Sequence, residues 1–186
     1  MDEPTATLVR AARVAFDRYG PDRATMTDVA REAGVVRQTL YNTVSSRDKL
    51  VELAMIQCCE DLQQKIDTWR IPQGDPGEAL VEFLARAVEI TADDAELAAL
   101  SAALPPAQVR AVFGESHPVL ALISQSLDPI LRRCEEAGVL RAEITVEEAD
   151  RWLQGVLTFA LLRDEGDPVA LRDNLRRFAL PSVLTV

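Results

Sequence analysis

Histidine is almost missing from this 186-residue chain, and the single one, His117, stands before Pro118 at an expected helix start. An enzyme needs a nucleophile beside a base, or paired carboxylates in a cleft. His117 reads as a surface or capping residue instead, so the chain is not expected to be an enzyme and calls for no cofactor. Cysteine is scarce too: three residues, two of them adjacent at Cys58 and Cys59, form no disulfide framework. Neighbouring cysteines on a helix point about 100° apart and lack CxxC spacing. They read as apolar fillers, and a metal- or redox-responsive site built from Cys58, Cys59 and Cys134 is the alternative.

Long hydrophobic runs are also absent. None approaches the roughly 18 apolar residues of a membrane span, so no membrane partner is expected. The N-terminus, MDEPTATLVR, is acidic, which argues against a signal peptide and for the cytoplasm. Strand signals are few, internal repeats and low-complexity tracts are lacking, and 48% apolar residues exclude disorder. The expected class is all-α. It divides into an N-terminal three-helix domain over residues 1–50 and a helical body over residues 51–186.

What the chain does contain is concentrated between Thr25 and Val44, TMTDVAREAGVVRQTLYNTV. Thr25 with Asp28 three residues on forms a capping box. Met26, Val29, Ala30 and Ala33 repeat at helical spacing and leave Thr27, Asp28, Arg31 and Glu32 in water. Gly34 ends that helix cheaply in the left-handed conformation, Val35 follows as a core plug, and Leu40 and Val44 anchor a second helix. The second helix then exposes Arg37, Gln38, Thr39, Tyr41, Asn42 and Thr43. A major groove admits one helix, and its base edges are read by long side chains with paired hydrogen-bonding groups: Arg on guanine, Gln or Asn on adenine, Thr on a thymine methyl. Arg37, Gln38 and Asn42 suit that work. Beyond them Ser45 or Ser46 caps the next helix, and Arg47 and Lys49 lie at its N-terminus. Cations there oppose the helix dipole and are well placed to meet phosphate. A helix-turn-helix for double-stranded DNA is the resulting expectation.

Residues Leu8 to Leu53 resemble the N-terminal domain of the TetR family of bacterial transcriptional regulators. The pieces that carry the resemblance are Ala15-Phe16 with Tyr19-Gly20, the Val29-Ala30 and Ala33-Gly34-Val35 core, Thr39-Leu40-Tyr41, and Arg47 where the family usually has Lys. The resemblance implies DNA contacts at Thr25, Thr27, Arg37, Gln38, Thr39, Tyr41, Asn42, Thr43 and Arg47. Two departures stand out. Val36 replaces a small polar cap of the recognition helix, and Asn42-Thr43-Val44 replaces the usual aromatic or His followed by Phe, which implies an operator of its own.

Charge follows the same division. Residues 1–50 hold eight Lys or Arg and seven Asp or Glu, so their net charge is +1 and the body carries −11 of the total −10. An acidic body repels DNA and admits only the N-terminal face.

Past Leu50 the chain reads as a run of helices: one long helix to Trp69, a second opened by Asp75-Pro76-Gly77-Glu78, short pieces around Pro105-Pro106, and a long one from Ser116 to Gly138 that Pro129 should kink. Thr145 and Glu148 form a second capping box. Behind it Trp152, Leu153, Val156, Leu157 and Ala160, with Leu171, Leu175 and Phe178 of a helix starting at Asp167-Pro168, make wide apolar faces. Two such helices per chain can build a four-helix bundle with a twofold mate, and the resemblance implies that this is the homodimer interface. Two recognition helices must then sit about 34 to 36 Å apart, which implies an inverted-repeat operator. The resemblance also implies a small-molecule effector in the body. Candidate lining residues, chosen as apolar or aromatic, are Met55, Cys59, Trp69, Phe83, Ala87, Leu104, Phe113, Ile123 and Phe159. Sparse aromatics and no buried cationic cluster point to a neutral or cationic lipophilic effector. The expected role is a repressor released by that effector, with an activator as alternative.

Overall fold

The computed structural model describes residues 1–68, 72, 74–163 and 167–185, with Arg163 described by its backbone alone. Every regular element among the described residues is helical, and β-pairing is limited to one isolated antiparallel bridge, Leu140 with Leu184. The chain forms two compact units. One comprises Met1–Glu60 with Asp94–Val112, the other Asp61–Asp93 with Phe113–Val186.

The first unit opens with α1 (Glu3–Tyr19), capped by the Asp2 carboxylate, which accepts from the Thr5 amide at 3.1 Å. Leu8, Val9, Ala12, Ala15 and Phe16 bury its inner stripe. Gly20 ends it at φ 83°, a left-handed value that costs glycine little. Both halves of the capping box of α2 (Met26–Glu32) are present: Asp28 N–H donates to Thr25 Oγ1 at 3.2 Å, and Thr25 N–H donates to Asp28 Oδ2 at 3.0 Å. Met26, Val29 and Ala30 are buried, whereas Ala33 and Val35 are only half-buried. Gly34, at φ 67°, closes α2: its own N–H donates to Arg31 O and that of Val35 to Ala30 O.

After that turn comes α3 (Arg37–Thr43), which begins at Val36 with no side-chain cap and is anchored by the buried Leu40 and Val44. Of the two candidate serines, Ser46 caps α4 (Arg47–Asp67), its hydroxyl accepting from the Lys49 amide at 3.1 Å. The first unit also takes in α6 (Ala95–Ala102) and most of α7 (Pro106–Glu115). Arg13 of α1 grips Glu96 of α6 with two charge-assisted bonds, 2.6 and 2.7 Å.

The second unit is built on α5 (Pro76–Ala92), whose cap Asp75 accepts from the Glu78 amide at 2.9 Å. Leu80, Phe83, Leu84, Ala87 and Val88 are all buried, as their spacing predicts. Gly77 has a packing reason: a Cβ there would lie 3.2 Å from Leu184 Cδ1. Next come α8 (His117–Glu136), a single helix that retains Pro129 inside it, and α9 (Val146–Arg163) behind the Thr145–Glu148 capping box.

The last stretch departs from a uniform helix. From α10 (Pro168–Asn174) the chain widens into a π turn over Leu175–Ala179 and tightens again in α11 (Leu180–Val183). Pro181 explains the change: it has no N–H for an α-type bond and its ring crowds the preceding turn, so the ladder expands just upstream. Arg172 and Arg176 tie this stretch to α5. Arg172 Nε donates to Glu82 Oε1 at 3.0 Å, Arg172 Nη1 pairs with Glu89, and Arg176 Nη2 donates to Glu78 Oε2 at 2.8 Å.

Candidate nucleic-acid interface

Leu40 and Val44 bury one side of α3, so its remaining residues must face water. Arg37, Gln38, Thr39, Tyr41, Asn42 and Thr43 are all exposed, as are Thr25 and Thr27 on α2 and Lys49 on α4; Arg47 is half-buried. The exposed side chains are ordered among themselves in i,i+4 pairs. Arg37 Cζ lies 5.2 Å from the Tyr41 ring centroid and Arg37 Nη2 donates to the Tyr41 hydroxyl at 3.3 Å. Gln38 Nε2 donates to Asn42 Oδ1 at 2.9 Å, and Thr43 Oγ1 to the Thr39 carbonyl at 3.2 Å. Arg47 donates to the Pro21 carbonyl, and Lys49 pairs with Glu52 at 2.6 Å.

Several of these groups share a shallow cleft of about 510 Å³ in which Thr25, Thr27, Arg37, Tyr41 and Arg47 converge. Arg23 and Asp22 line it too, and composition had given no hint of them because the capping motif starts two residues later. Gln38, Thr39, Asn42, Thr43 and Lys49 lie outside it. Within the α2 cap, the Thr25 hydroxyl and amide, with Arg31, hold the Asp28 carboxyl below its usual range.

In the second unit, α9 and the α10–π stretch leave an apolar groove of about 640 Å³. Trp152, Val156, Ala160, Leu171, Leu175 and Phe178 line it, together with Gly155, Asn174 and Ala179. Trp152 and Phe178 are 55% and 68% exposed, although the indole N–H of Trp152 donates to Ser182 Oγ at 2.8 Å. Leu153 and Leu157 turn the other way and are buried. Phe159, singled out from sequence as an effector contact, lies in this groove at 56% exposure. Met55, Phe83, Ala87, Leu104, Phe113 and Ile123 are buried and Cys59 is half-buried, while Trp69 falls outside the described residues.

The cysteines are held as thiols. Burial, reinforced by Glu60 and Asp94, pushes Cys59 up to about 12. Burial beside Asp94 and Glu96 raises Cys58, and burial takes Cys134 to about 11. No group of three or more His, Cys, Asp or Glu with metal-binding proximity occurs among the described residues. Nor is any helix there long and apolar enough to cross a membrane.

Residues 8–54, which hold the capped α2, the glycine turn and the exposed α3, match the bacterial regulatory proteins of the tetR family. That segment is a TetR-family DNA-binding domain. The chain's likeness extends well past the matched segment. An uncharacterized HTH-type transcriptional regulator of Mycobacterium tuberculosis is 28% identical over 155 residues, covering 77% of this chain and 80% of the relative. Among solved structures, the TetR family repressor AlkX from Dietzia sp. is 25% identical at a TM-score of 0.66, covering 97% of this chain and 95% of that one. The transcriptional repressor QsdR of R. erythropolis shares the fold at a TM-score of 0.67 and 20% identity, over 96% and 94% of the two chains. The matched family and these relatives are transcriptional regulators rather than enzymes, and they support a regulator with an N-terminal helix-turn-helix and a helical C-terminal domain. His117, exposed at the start of α8, accordingly needs no catalytic role.

Proposed function

We propose that this TetR-family regulator is a homodimeric repressor of an inverted-repeat operator, released from it by a small lipophilic effector. Residues 1–50 form the DNA-binding domain, and residues 51–186 the effector-binding and dimerisation domain. The carrying observation is α3: a seven-residue helix anchored by two buried residues, with six exposed side chains suited to base edges and phosphates. Thr25, Thr27, Arg37, Gln38, Thr39, Tyr41, Asn42, Thr43, Arg47 and Lys49 make its contact surface.

Dimerisation is supported by the exposed apolar side chains around the α9 groove, since monomeric proteins rarely leave such a patch uncovered. A twofold mate would cover it and fix the spacing of the two α3 helices. The effector acts only through different affinities for two head spacings, which makes DNA release and ligand binding reciprocal. The apolar candidates Met55, Phe83, Ala87, Leu104, Phe113 and Ile123, all buried in the body, are compatible with a lipophilic class. AlkX, the relative from Dietzia, is implicated in biodegradation of n-alkanes, which agrees with that class.

Selection of bound fragments from random duplexes tests the reading. An enriched inverted repeat is expected; enrichment of a single unrepeated site, or of nothing, would refute it.

A further inference from the structure

Successive residues of α3 turn by about 100° around its axis. Leu40 and Val44, 0% and 2% exposed, fix the side that faces inward. The direction opposite their mean falls on Gln38 and Asn42, with Arg37 and Tyr41 on one flank and Thr39 and Thr43 on the other. A helix docked with its anchored side away from DNA therefore presents Gln38 and Asn42 to the groove floor. Its flanks meet the groove walls, where the phosphates are.

The side chains are already arranged for that division. With Gln38 Nε2 donating to Asn42 Oδ1, the pair keeps Gln38 Oε1 as an acceptor and Asn42 Nδ2 as a donor. Adenine offers the matching set in the major groove, an N6 donor beside an N7 acceptor, whereas guanine offers two acceptors. Arg37 instead lies over the Tyr41 ring and bonds its hydroxyl, which turns the guanidinium sideways into the cleft rather than outward. Three guanidinium groups line that cleft, Arg23, Arg37 and Arg47, against the Asp22 carboxylate, with Asp48 paired to Arg47 at 3.6 Å and Arg23 Nε donating to the Tyr19 carbonyl at 3.1 Å. Thr27, exposed, adds a hydroxyl to the same cleft, while the Thr25 hydroxyl there donates to Asp28 Oδ2 at 2.6 Å. A cleft lined by an excess of one sign of charge favours a counter-charged group within it.

We propose that Gln38 and Asn42 act as one unit reading a single adenine-bearing base pair, while Arg37, with Arg23 and Arg47, binds a backbone phosphate. This assigns Arg37 to phosphate instead of the guanine contact that its residue type suggests. The inference rests on the DNA-binding reading of α3 above.

The test measures full-chain binding to the selected operator, and to base-substituted versions of it, across a range of salt. Arg37→Ala should flatten the salt slope by about 0.9 per half-site and leave the ranking of operators unchanged. Arg37→Lys should restore the slope, because phosphate accepts either cation whereas bidentate guanine readout does not. Gln38→Ala and Asn42→Ala should keep the slope and each lose about tenfold discrimination at the same base pair, with the double variant no worse than either single one. The proposal is overturned if Arg37→Ala relaxes preference at a G·C pair without rescue by lysine, or if Gln38→Ala and Asn42→Ala relax different positions. A wild-type chain that enriches no duplex would remove the DNA-binding reading and this division together. All three side chains are exposed, so their removal leaves the Leu40 and Val44 anchors in place.

Discussion

Thr25 shows how much a single side chain decides. Its hydroxyl and amide both engage Asp28, which starts α2 at the right residue and thereby sets where α3 lands. Thr25→Ala should lower stability by about 1 kcal/mol in urea denaturation. It should also weaken operator binding, since the cap that positions α2 beside the cleft is lost. Such features are legible in sequence because cap and partner lie three residues apart. The cysteines carry a different prediction at this scale. With Cys59 pushed up to about 12 and Cys134 to about 11, little thiolate exists at neutral pH. Iodoacetamide should leave the folded protein essentially unmodified at pH 7.5 and label all three thiols in denaturant. Fast labelling of the native chain would restore a redox role for Cys58, Cys59 and Cys134.

Among the elements, the helices and their starts follow from local pattern: Asp75-Pro76, Thr145–Glu148 and the apolar repeat of α5 all fall where the structure has them. Three features were not readable. The Arg13–Glu96 grip spans 83 residues, so no local pattern announces that α6 packs in the first unit. The π turn depends on Pro181 acting on the turn before it. Phe159 has the same composition signal whether it lines an effector pocket or an outer groove, and only its azimuth on α9 places it in the groove.

Long-range pairing also governs the α5–α10 contact. Hydrogen bonds from Arg172, then from Arg86, hold the Glu89 carboxyl below the usual carboxylate range, and Arg176 does the same for Glu78. Lowered folded-state values mean that this stabilisation is present above about pH 4.5 and is lost as pH falls through the folded-state values. Arg172→Ala should therefore lower the melting temperature at pH 7, and the gap from wild type should shrink as pH drops below 4.5. A gap that stays constant down to pH 3 would show that Arg172 acts by packing alone.

At the scale of the whole molecule, charge and symmetry work together. Residues 51–186 carry −11 and residues 1–50 carry +1, and on the dimeric reading proposed above a second copy would cover the exposed groove at α9. Phe178→Glu should place an unpaired charge in that interface and give a monomer in sedimentation at micromolar concentration. Its operator affinity should collapse toward that of one isolated head, while its helical content stays unchanged. The most direct measurement changes only the DNA. About five base pairs, half a helical turn, are inserted between the two halves of the selected operator, and binding is compared with the uninterrupted site. Two α3 helices held at a fixed spacing by one dimer predict loss of specific binding. Binding that ignores the half-turn insertion would mean that each head reads alone, contradicting the paired reading on which the account stands.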